Sequence, residues 1–68
     1  MSAQTTAKPN PAWVGCSVLD LIAAADEDEM TAVSVANHPH ATSEDFELAA
    51  FMLDRAAEMR AEIARRVR

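Results

Sequence analysis

The sequence predicts an all-α protein, and three observations carry that reading. Residues 42–68 contain neither Gly nor Pro and are rich in Ala, Leu, Met, Glu and Arg, which lose little side-chain freedom in a helix. Ser17 and Thr42 each stand at a helix-start position with an acid three residues on, Asp20 and Asp45 respectively. Pro39 separates the two regions, because it disfavours helical geometry at His38. The expected architecture is two short N-terminal helices packed on one long C-terminal helix, forming a single domain over residues 12–68 behind a flexible tail of residues 1–11.

The tail, with Ser, Gln, Thr, Lys and two prolines, has nothing to bury. Trp13 follows it and is expected to fold back onto the core. Ser17 caps a helix beginning at Val18, whose apolar stripe is Val18, Leu21, Ile22 and Ala25. Continuing that helix to residue 37 would place Glu29 inside the stripe, so a break within Asp26–Glu29 is expected, with a second short helix reaching about Asn37. Thr31, Val33 and Val35 alternate and are β-branched, which keeps a strand over 30–36 as the competing reading. Asn37 to Ala41 then form a turn into the long helix.

The long helix begins with Thr42 as N-cap, and Glu44, Asp45 and Glu47 put negative charge at the positive end of its dipole. Arg65, Arg66 and Arg68 do the reverse at its C-terminus. At 100° per residue, Phe46, Ala49, Ala50, Met52, Leu53, Ala56, Ala57, Met59, Ile63, Ala64 and Val67 share one broad apolar arc, while Glu47, Asp54, Glu58, Glu62 and Arg65 lie opposite. Glu62 and Arg66 form a favourable i,i+4 pair. Phe51 falls on the polar side, which makes it either a residue covered by a neighbouring segment or second copy, or an exposed aromatic anchor for a partner.

A chain of 68 residues buries only about 60% of its extended surface and has little stability to spare. Half of its residues are apolar, but 15 are Ala and only Trp13, Phe46 and Phe51 are aromatic, so the core is thin. The single Cys cannot form an internal disulfide, and no positive-then-apolar leader opens the sequence, so a cytoplasmic protein is expected. No apolar run approaches membrane-spanning length. The net charge of −5 is uneven: residues 1–45 carry one Lys against seven carboxylates, and residues 46–68 carry five Arg against four. Direct nucleic-acid binding is therefore not expected, since phosphate affinity requires a basic surface.

No residue constellation for catalysis, a cofactor or a metal is found. Asp26–Glu29 imitates the start of a calcium loop, but Thr31 and Asn37 stand where Gly and Glu are required. Cys16, His38 and His40 have no metal-ligand spacing, and Cys16 has neither a resolving Cys nor a clear base. Gly15-Cys16-Ser17-Val18-Leu19 resembles the helix-start serine of acyl carrier proteins, but Cys16 replaces the expected Asp and no helix precedes it, so a carrier is not expected.

Binding to a larger protein is the expected role. Asp26, Glu27, Asp28, Glu29, Glu44, Asp45 and Phe51 are the candidate contacts for a basic surface, which would make the chain an inhibitor of a host or defence protein. In composition alone this resembles the small acidic helical proteins of phages and mobile elements, anti-CRISPR proteins among them. The alternative is an antitoxin-like or accessory subunit that assembles through the apolar face of the long helix, at Phe46, Met52, Leu53, Met59 and Ile63. A homodimer through the long helices is compatible with either.

Overall fold

The computed structural model describes residues 11–67, so the tail expected over residues 1–11 lies almost wholly outside the described region. Among the described residues the protein is all-helical and has no strand: a short 3-10 turn at Pro11–Trp13, then α1 over Val18–Ala36 and α2 over Ser43–Arg66. Local chemistry sets the helix ends. Ser17 Oγ accepts the Asp20 N–H at 3.0 Å. Thr42 and Asp45 form a reciprocal capping box, with the Asp45 N–H donating to Thr42 Oγ1 at 3.2 Å and the Thr42 N–H donating to Asp45 Oδ2 at 2.9 Å. α1 stops at Asn37, two residues before Pro39.

Two short N-terminal helices were expected, but there is one. α1 runs through Asp26–Glu29 without a break and includes residues 30–36, which the competing reading made a strand. The reason lies on α2. Arg55 donates two hydrogen bonds to Asp28, both at 2.8 Å, so Asp28 is tolerated on the buried face of α1 with only 9% of its surface exposed. Arg60 donates to both Glu29 carboxylate oxygens at 2.9 and 2.7 Å and to Asp26 at 2.6 Å. A carboxylate on a buried helix face is tolerated where a cation pairs with it.

These pairs also fix the topology. Asp28 faces Arg55, Asp26 faces Arg60, and the carbonyls of Cys16 and Trp13 accept from Arg66, so α2 runs antiparallel to α1. On α1 the inner seam is Leu21, Ala25, Asp28, Ala32 and Val35; on α2 it is Asp45, Ala49, Met52, Ala56, Met59 and Ile63. Both follow the alternating three- and four-residue spacing of packed helices. Leu21, Ala25, Ala56 and Met59 form the core, with Trp13, Cys16, Ala24 and Ile63 against it. Trp13 thus folds back as expected. Among the described residues, no buried side-chain nitrogen or oxygen lacks a partner.

Candidate functional site

Only Asp28 of the acidic run is buried, although most of the run is ion-paired. Of the four consecutive carboxylates, Asp26, Asp28 and Glu29 are ion-paired to α2, and only Glu27 projects to solvent without an ion pair among the described residues. Hydrogen bonds from Arg55 hold the Asp28 pKa below its ordinary value, and those from Arg60 do the same for Glu29. Asp45 is half-buried and engaged in the capping box, whereas Glu44 is exposed. Arg60 is the hub of an ionic cluster between the helices.

Glu62 was placed on the solvent side of α2, but it is only 5% exposed. The Arg65 guanidinium pairs with one of its oxygens and Arg66 donates to the other at 2.6 Å, so the expected Glu62–Arg66 pair is present. These bonds lower the Glu62 pKa, Arg65 contributing most. Arg66 also reaches the Trp13 carbonyl at 2.9 Å and so moors the N-terminal turn to the end of α2.

The broad apolar arc of α2 divides into two rows. Met52, Met59 and Ile63 belong to the seam that meets α1, with Met59 buried and the other two half-buried. Phe46 and Leu53 point away from it, 52% and 47% exposed. They belong to a second row displaced by one residue: Phe46, Ala50, Leu53, Ala57, Arg60, Ala64 and Val67. All of its members are exposed except Arg60, which is half-buried. This outer row adjoins the side of α1 that supplies Asp26 and Glu29, where Met30 and Val33 are exposed as well.

Phe51 lies on the opposite flank, 59% exposed, with the Arg55 guanidinium 5.4 Å from its ring centre. The aromatic face therefore assists in holding the cation that neutralises Asp28. Glu44, Glu47, Asp54 and Glu58 are exposed along the same outer side of α2.

At the inter-helix turn, Ser34, Val35, His38, His40 and Asp45 line an open cleft of about 310 Å³. The His40 N–H donates to His38 Nδ1 at 3.1 Å, which leaves His38 Nε2 as the ring donor. Among the described residues, no group of three or more His, Cys, Asp or Glu is arranged to hold a metal ion. Nor is any helix among them long and apolar enough to cross a membrane. Comparison with protein-family models, curated proteins and solved structures gave no match.

Proposed function

We propose that this chain is a non-enzymatic protein-binding module that assembles through the outer apolar row of α2, as an accessory or antitoxin-like subunit would. The observation that carries the reading is the exposure of Phe46 and Leu53 on the same side of the hairpin as Met30 and Val33. A lone helical hairpin gains nothing from holding large apolar side chains in water, and such patches mark interaction surfaces. Pairing of Asp26, Asp28 and Glu29 with arginines of α2 already neutralises their charge, which weakens the case for the acidic run as the docking surface.

A specific feature supports the inhibitor reading as a second possibility. Glu44, Glu47, Asp54 and Glu58 flank Phe51 on the exposed side of α2, and together they could occupy a basic surface of a larger, nucleic-acid-handling protein. Affinity capture from nuclease-treated lysate of the native host, at low and high salt, separates the two. Under the assembly reading the partner survives high salt and is lost with Leu53→Gln, while a Glu47→Gln/Asp54→Asn/Glu58→Gln variant retains it. A partner lost at high salt and lost in that acid-free variant would establish the inhibitor instead.

A further inference from the structure

We infer that the occupant of the outer row is a second copy of this chain, with the two α2 helices antiparallel across a two-fold axis. This deepens the assembly reading and rests on it. The row alternates large and small residues: Phe46, Leu53, Arg60 and Val67 at seven-residue intervals, with Ala50, Ala57 and Ala64 between them. An antiparallel copy centred near residue 55 brings Phe46 opposite Ala64, Leu53 opposite Ala57, and the aliphatic stem of Arg60 opposite Ala50. Phe46, Leu53 and Arg60 then each meet an alanine, Val67 falls opposite the small Ser43, and the same set of contacts is repeated by symmetry, as a two-fold interface requires. A parallel copy would set Phe46 against Phe46 and Leu53 against Leu53, leaving the alanines facing empty space.

Charge selects the same direction. The N-terminal end of α2 carries Glu44 and Glu47, and its C-terminal end carries Arg65 and Arg66. The antiparallel arrangement places acidic end against basic end in both halves of the dimer, whereas the parallel one doubles like charge at each end.

Size argues for involvement of α1 too. The outer row offers a strip about 32 Å long and about 10 Å wide, well below the roughly 800 Å² that a standard interface takes from each partner. Ile22 and Met30 lie one turn to either side of Asp26, and Val33 lies one turn beyond Glu29, the two acids that reach Arg60. These residues extend the strip, and the resulting assembly is a four-helix bundle.

The test uses full-length protein in a Cys16→Ser background, with Phe46→Cys and Ala64→Cys as separate variants whose helicity is checked by circular dichroism. Analytical ultracentrifugation of the unsubstituted chain is expected to show a concentration-dependent dimer. On mild oxidation, a mixture of the two cysteine variants is expected to form the mixed 46–64 disulfide as its main product. Phe46→Cys alone should remain uncrosslinked, because its two copies lie about 27 Å apart along antiparallel helices. A 46–46 disulfide would overturn the antiparallel arrangement. A chain that remains monomeric up to millimolar concentration would overturn the second copy as occupant. The assembly reading would outlive that result only if salt-resistant, Leu53-dependent capture of another protein were found.

Discussion

Leu21→Ala tests whether the hairpin is held by the core described above. Among the described residues Leu21 is the largest fully buried side chain, 1% exposed, and its buried apolar companions are four alanines and Met59. Removing the three outer carbons of a buried leucine forfeits about 2.4 kcal/mol of transfer free energy at about 0.8 kcal/mol per carbon. The unfilled cavity brings the usual total to about 2–5 kcal/mol. A chain below about 70 residues rarely has more than about 3–5 kcal/mol in all, so the variant should be largely unfolded at 25 °C. The assay is a urea titration followed by helical circular dichroism at two protein concentrations. With a slope near 1 kcal/mol/M for so small a protein, the midpoint should fall by about 2–5 M. A loss below about 1 kcal/mol would refute the placement of Leu21 at the centre of this core. If the unsubstituted protein dimerises, its midpoint should also rise with concentration.

Acid should loosen the fold in a defined direction. Asp28, Glu29 and Glu62 all have pKa values below their ordinary 3.8, 4.5 and 4.5. The unfolded chain therefore binds protons first, and the stability contributed by these groups is complete above the ordinary values and is lost as pH falls through the lowered ones. Melting temperatures measured between pH 7 and pH 3 should stay level until about 4.5 and then drop, with a smaller drop in Asp28→Asn; a fall already complete above that range would refute these carboxylates as its cause. Thr42→Ala removes the side-chain acceptor of the Asp45 N–H and should cost about 1 kcal/mol, read by urea titration. Arg66→Ala cuts the tie to the Trp13 carbonyl, and because Trp13 is the only tryptophan, a red-shifted fluorescence maximum with unchanged helicity should report the release of the turn.

What could be read in the sequence was what is decided within one helical turn. The caps at Ser17 and Thr42, the stop before Pro39 and the Glu62–Arg66 pair join residues three or four apart, or act on the immediate neighbour, and each appears in the structure. The continuity of α1 was hidden because its justification lies elsewhere: Asp28 and Arg55 are 27 residues apart, and Asp26 and Arg60 are 34 apart. Periodicity treats a carboxylate in an apolar stripe as a defect, whichever cation the opposite helix brings to it. A weak signal was present in the antiparallel register, since a turn at residues 37–42 sets the acids of α1 at the height of Arg55 and Arg60.

The candidate site was legible as an arc and illegible as two rows. Helical periodicity groups Phe46, Met52, Leu53, Met59 and Ile63 together, and only the position of α1 decides which of them faces inward. That position is fixed by the ion pairs on both sides of the seam, with Asp28–Arg55 on one flank and Arg60 with Asp26 and Glu29 on the other. Because both flanks are pinned, α1 cannot roll around α2 to cover the outer row without separating a partly buried carboxylate from its guanidinium. Exposure of Phe46 and Leu53 is therefore a consequence of the same charges that earlier suggested an acidic docking surface. Neutralising Asp26 and Glu29 as amides should free that flank, and a changed dimerisation constant in an Asp26→Asn/Glu29→Gln variant would show that the internal salt bridges govern the availability of the apolar face.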